Sequence, residues 1–165
     1  MPEDPKTPGN FIERKQPAHL PLLNAPRAGN VIWLTICANS PRVRFDRDDI
    51  HTLLVSIWSA EHSQWLVGDY VLMPDHIHLF TAPRFVDALP LKNWMKWWHQ
   101  QASKSWPRKE EAPLWQRDYW DRQLRHDESY LEKWHYLRHN PVRSGLVSHP
   151  DLWPYQGRIH PLQLS

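Results

Sequence analysis

The chain has 165 residues, a formal net charge of +2, 41% hydrophobic residues and a single cysteine. That length gives one domain of ordinary size with its own core. One thiol excludes an internal disulfide framework, and no apolar run approaches the roughly 20 residues that span a bilayer. The mild basicity permits a nucleic-acid partner without requiring one. The polar, Pro-rich start, Met1-Pro2-Glu3-Asp4-Pro5, lacks the apolar core of a signal peptide. A soluble, cytoplasmic protein with no membrane partner is expected.

Residues 1–29 are rich in Pro and polar groups and read as an irregular arm carrying Arg14 and Lys15. Residues 30–38 are apolar and β-branched, the pattern of a buried strand, with Cys37 an inert buried thiol. Asp46 or Asp48 can cap a helix running to about His62, because Ile50, Leu53, Leu54, Ile57 and Trp58 fall at helical spacing. Residues 64–73 read as a second strand. Pro74-Asp75 breaks the chain, and residues 76–82 form a third strand, completing a hairpin.

A second helix is expected over residues 87–104, where Leu91, Trp94, Met95, Trp98 and Ala102 make one apolar stripe. A charged loop over 106–113 leads to a fourth strand over 115–124. A third helix starts at Asp127 or Ser129 and ends near His139-Asn140-Pro141, with Leu131, Trp134 and Leu137 as its packing stripe. The domain spans residues 30–147, and residues 148–165 read as an irregular tail. The order β-α-β-β-α-β is the split βαβ, ferredoxin-like pattern: an α+β fold with a four-stranded antiparallel sheet and two helices on one face. The third helix is spare and free to lie across the open face.

The most informative segment is Leu72-Met73-Pro74-Asp75-His76-Ile77-His78-Leu79. On a strand, side chains alternate faces, so His76 and His78 point one way and Ile77 the other. Two imidazoles about 7 Å apart at Cα, at roughly 3.3 Å per residue, can share one divalent ion. A solvated face explains the pair as well when it is taken alone. In the third helix Tyr136 and Asn140 are four apart and share a face. Tyr130, about 240° away from Tyr136 round the helix, faces elsewhere. His139 is a competing ligand near the same position.

These motifs, together with Trp115-Gln116-Arg117-Asp118-Tyr119-Trp120-Asp121 and Tyr136-Leu137-Arg138-His139-Asn140-Pro141-Val142 followed by Gly145-Leu146-Val147, resemble the REP-associated tyrosine transposases. Those are IS200/IS605-like single-strand transposases with a His-hydrophobic-His motif. The resemblance covers roughly residues 30–156 and departs mildly at Tyr119-Trp120. It implies that His76 and His78 bind the metal, that Asn140 is the third protein ligand and that Tyr136 is the nucleophile, on the C-terminal helix.

The metal so implied is Mg²⁺ or Mn²⁺, although ligand softness alone favours Zn²⁺ or Mn²⁺. The substrate so implied is single-stranded or hairpin DNA at palindromic repeats, cut and rejoined through a 5′-phosphotyrosine. The enzyme would be a monomer or a homodimer. Candidate DNA contacts are Arg14, Lys15, Lys92, Lys96, Arg117, Arg122, Arg138 and Arg143, with Trp97 as a stacking platform. The alternative is a domesticated repeat-DNA-binding protein with little turnover. A metal-free phosphodiesterase using the two histidines as acid and base is a third reading.

Overall fold

The computed structural model describes residues 31–124 and 127–162. Arg14 and Lys15 lie outside them. In chain order the elements are β1 (Ile32–Cys37), α1 (Asp48–Trp58), β2 (Trp65–Leu72), β3 (His76–Pro83), α2 (Leu91–Ser105), β4 (Trp120–Gln123), α3 (Asp127–Arg138), the one-turn α4 (Asn140–Arg143) and β5 (Gln156–Arg158). The sheet order is β4-β1-β3-β2-β5, with every pair antiparallel. The first four strands have the expected split βαβ arrangement, and β3 lies at the centre.

All eight residues of β3 are buried, because both faces of the sheet are covered. Ile77 and Leu79 enter the larger core, with Trp58, Trp94 and Trp98 from α1 and α2. Phe80 points to the opposite face and joins Val71, Tyr130, Leu137 and Trp153 in a second cluster. The spare helix α3 does lie on that face: the Tyr130 ring centroid is 4.5 Å from Phe80. Trp58, Trp65, Trp94, Trp98 and Trp106 are each no more than 1% exposed. Much of the tryptophan content is therefore core rather than a stacking surface.

The boundaries differ from expectation for identifiable reasons. Helix α1 has Arg47 as its N-cap without a side-chain cap bond, and Asp48 and Asp49 instead occupy its first turn, where they favour the positive end of the helix dipole. Helix α2 starts at Leu91 rather than Asp87, because Pro90 is extended and a residue before proline, here Leu89, is biased away from helix. The Trp115 end of the expected fourth strand makes only an isolated bridge with Ala38.

Pro141 does not end a helix but sits in the first turn of α4, where its missing N–H costs nothing. The turn after α4 uses Gly145 at φ +73°, a backbone region that glycine adopts without a Cβ penalty. On α3 the packing residues are Tyr130, Trp134 and Leu137, while Leu131 is 55% exposed.

The tail contributes more than an irregular segment. Strand β5 pairs with β2, matching Asp69 with Arg158 and Tyr70 with Gly157, so the sheet has five strands rather than four. A Cβ at Gly157 would lie 2.7 Å from the Tyr70 hydroxyl oxygen, so any larger residue would displace the Tyr70 ring. Trp153 Nε1 donates to the Leu72 carbonyl at 3.0 Å and pins the tail to the sheet. Beside the β2–β5 pairing, β2 carries a register irregularity between Val67 and Tyr70. There Asp69 accepts from Tyr130 Oη and from Arg158 Nε and one terminal guanidinium nitrogen, the last two at 3.1 Å each.

On the α2 face, Trp115 stacks between Phe45 (centroids 5.5 Å apart, 12° between planes) and His99 (4.5 Å, 14°). Burial pushes His99 down to about 3. An unfolded imidazole near 6.5 takes up its proton as the pH falls, while the folded one stays neutral. The unfolded chain therefore binds more protons between about 6.5 and 3, and stability should fall with decreasing pH across that window. Thermal melts of wild type and His99→Gln between pH 7 and 4.5 check this. The variant should show a shallower dependence, and an identical slope would refute the account.

Candidate functional site

Register places the two histidines. Thr35 lies opposite His78 and Cys37 opposite His76 on the neighbouring β1, and cross-strand partners share a face. Trp33, two residues before Thr35, therefore points the same way. His76 and His78 are 4% and 7% exposed. Their ring centroids are 4.6 Å apart with planes at 84°. Both imidazoles thus converge on one spot on the α3 side of the sheet, not on a solvated face.

Each ring is held by its Nδ1. His76 Nδ1 is 2.9 Å from Asp75 Oδ1. His78 Nδ1 is 3.0 Å from Thr35 Oγ1 and 3.3 Å from Trp33 Nε1. Metal-binding histidines characteristically donate one ring N–H to such an oxygen and ligate through the other nitrogen. An indole N–H only donates, so the Trp33 contact calls for an unprotonated Nδ1. Thr35 can instead accept from Nδ1–H, which leaves the Nε2 lone pair for a ligand. Burial first, then His76 and Arg143, push His78 well below the ordinary imidazole range, so its ring is neutral and competent to ligate near neutral pH. Cys37 is pushed up to about 12 by burial and by Asp75, which keeps it an inert thiol.

Tyr136 packs half-buried against the second core cluster, the same one that receives Trp33. The Arg143 guanidinium sits over its ring, 3.9 Å from the centroid, and donates to the Tyr136 carbonyl at 2.8 Å. Such a contact is favourable because the ring face is electron-rich. Arg143 also donates to Asn140 Oδ1. Because its charge also reaches His78, Arg143 links the helix-borne pair Tyr136 and Asn140 to the histidine strand.

His76 and His78 fit a divalent ion, with Nδ1 anchored on each. Among the described residues no group of three His, Cys, Asp or Glu can hold a metal, so a third protein ligand must be another donor type. Asn140 offers an amide oxygen, which Arg143 engages in this arrangement. His139 Nδ1 lies 2.6 Å from the His135 carbonyl and is exposed.

The proposed DNA contacts scatter. Lys92, Lys96 and Arg117 line one cavity on the α2 side. Arg122 pairs across the strands with Trp33 and is exposed on the histidine face. Arg138 is ion-paired with Asp151. Trp97 is half-buried, with His62 at 5.4 Å between centroids in a T-shaped contact. Sequence reasoning missed Thr35 and Trp33, although a Thr and a Trp two apart in an apolar strand mark its polar-facing side.

No family model matches the chain. A Haemophilus influenzae protein named as a REP-associated tyrosine transposase is 26% identical over 113 residues, covering 59% of this chain and 61% of that protein. The match therefore spans about three-fifths of that relative's length. The solved structure of a REP-associated tyrosine transposase bound to a REP hairpin superposes with a TM-score of 0.65 at 17% identity, covering 83% of this chain and 81% of that one. In sequence and in fold, the chain is similar to the REP-associated tyrosine transposases.

Proposed function

We propose that this protein is a metal-dependent tyrosine transposase acting in the cytoplasm, which cuts and rejoins single-stranded DNA at hairpin-forming repeats through a 5′-phosphotyrosine on Tyr136. The observation that carries the reading is a pair of anchored, buried imidazoles on the sheet face that α3 covers, the helix that bears Tyr136 beneath Arg143. The relative solved with a REP hairpin supports the choice of DNA.

Tyr136 Oη would attack the scissile phosphorus, forming the tyrosyl O–P bond. The bond to the 3′ oxygen breaks, and that oxygen leaves as a free 3′-OH after taking a proton. The phenol is a weak nucleophile until its proton departs, and Arg143 holds the ring from above. In the reverse reaction a 3′-OH attacks the phosphotyrosine and the tyrosine leaves. The phosphodiester energy is kept, so joining needs no nucleotide hydrolysis. Bound to His76 and His78, with Asn140 as third ligand once Arg143 releases it, Mg²⁺ or Mn²⁺ would neutralise phosphate charge in the transition state. Arg143, once released, is placed to meet a phosphate oxygen.

The test uses a hairpin oligonucleotide carrying the repeat that flanks the gene. Wild type should form a covalent adduct with Mg²⁺ or Mn²⁺, with the modified peptide containing Tyr136. EDTA should abolish the adduct, and His78→Ala should do the same without losing the fold. Cleavage that persists in EDTA removes the metal from the mechanism. The engagement of Asn140 by Arg143 favours, as second reading, a repeat-binding protein with little turnover. Hairpin binding without adduct under any divalent ion would establish it.

A further inference from the structure

Arg143, on the one-turn α4, holds three groups at once. Its guanidinium lies 3.9 Å from the centroid of the Tyr136 ring, donates to the Tyr136 carbonyl at 2.8 Å and donates to Asn140 Oδ1. Tyr136, Asn140 and Arg143 fall within two helical turns, so one long side chain can reach back over both. The Tyr136 carbonyl belongs to the last turn of α3, where carbonyls run out of helical donors and a cation is well received.

The same arrangement sets two demands on one atom. Only the amide oxygen of Asn140 can ligate a divalent ion, because an amide nitrogen is a donor. A guanidinium has donors and no acceptor, so it selects that same oxygen. An ion on Oδ1 would sit about 2 Å from it, and a guanidinium nitrogen bonded to it lies about 3 Å away. A dication and a guanidinium so close together repel each other. The guanidinium charge also reaches the strand: burial first, then His76 and Arg143, hold His78 low.

We propose that Arg143 is a positioning residue that gates the metal site: in the free protein its guanidinium holds Asn140 Oδ1 against the ion, and a DNA phosphate that draws the guanidinium away frees the oxygen to ligate. The inference rests on the reading of His76, His78 and Asn140 as the ligand set. The exchange is favourable because phosphate is a charged acceptor and the amide a neutral one, and charge-assisted hydrogen bonds are the stronger. Arg143 is exposed, so a phosphate reaches it without opening the fold. Free protein should then bind the ion weakly, and ion and DNA should each raise affinity for the other by one common factor. The gate keeps the ion out until a phosphate is present for it to act on.

The experiment titrates Mn²⁺ into the protein without DNA and reads free ion by electron paramagnetic resonance. Arg143→Ala and Arg143→Gln should each bind Mn²⁺ about tenfold more tightly than wild type. A helix end damaged by substitution would weaken the site, so tightening cannot come from misfolding. In an Asn140→Ala background, Arg143→Ala should change Mn²⁺ affinity far less, because the contested oxygen is gone. A repeat hairpin with its single-stranded flank, added to Tyr136→Phe protein, should tighten Mn²⁺ about tenfold once ions held by the oligonucleotide alone are subtracted. Arg143→Ala should remove that gain.

Unchanged or weaker Mn²⁺ binding by both Arg143 variants overturns the gate. Equal tightening with and without Asn140 overturns it too, since Arg143 would then act by repulsion alone. Adduct on Tyr136 reads the transposase reading separately. If wild type forms adduct with Mn²⁺ while the variants bind the ion no more tightly, the gate fails and the transposase stands. If the variants tighten Mn²⁺ but wild type forms no adduct, the transposase fails and the gate stands.

Discussion

Tyr136→Phe should bind hairpin DNA as wild type does and form no covalent adduct under any divalent ion. The substitution removes one oxygen. The ring stays half-buried under Arg143, whose contact is with the ring face, so the helix and the cation keep their places. No other tyrosine of α3 can substitute. Tyr130 Oη donates to Asp69 in a buried contact, and burial and Asp69 hold its phenol far above the ordinary range. Adduct is read by gel shift under denaturing conditions, binding by anisotropy. Residual adduct on Tyr136→Phe would assign the nucleophile elsewhere and end the present reading of α3. Loss of both binding and adduct would say that the hydroxyl holds the DNA rather than attacks it.

Much of this was legible in the sequence because it depends on local periodicity. The His76-Ile77-His78 alternation fixed which side chains share a face, and the burial of Ile77 against the first core follows from it. The apolar stripe of α2 placed Trp94 and Trp98 in the core for the same reason. What stayed hidden depends on long-range pairing. Strand β5 is three residues, Gln156-Gly157-Arg158, without alternation of its own; it exists because β2 offers an edge and Gly157 can pass under Tyr70.

The choice between Leu131 and Tyr130 as the packing residue could not be made from spacing, because both lie near the edge of the same stripe. Asp69, on the sheet, settles it by drawing the Tyr130 hydroxyl inward. Trp97 and Trp115 are similar as letters, yet Trp97 meets the edge of His62 while Trp115 is stacked between Phe45 and His99, contacts made by segments distant in sequence. The link from Arg143 to Tyr136, Asn140 and His78 also joins distant segments, the end of α4 and the centre of β3. Sequence alone gave Arg143 only as one flanking cation among several.

Asp69→Ala should cost about 3 kcal/mol of stability, a drop in Tm of roughly 6–12 °C for a domain of this size. Asp69 is 3% exposed and satisfies two elements at once: it accepts from Tyr130 on α3 and twice from Arg158 on β5. Its removal strands the Tyr130 hydroxyl in a buried position, where an unpaired polar group is expensive. The Arg158 side chain is 56% exposed and can turn to water. Arg158→Ala should therefore cost only about 1 kcal/mol, and this asymmetry identifies the Tyr130 contact as the larger share. The functional consequence follows from position. Tyr130 and Tyr136 stand on one helix, so releasing the first loosens the second. Adduct formation should then slow at temperatures where Asp69→Ala is still folded, because a nucleophile held less firmly spends less time in line with the phosphate. If Asp69→Ala melts like wild type, the buried triad does not anchor the helix. If it melts early yet forms adduct at the wild-type rate, Arg143 and the core contacts of Leu137 hold Tyr136 in place without it.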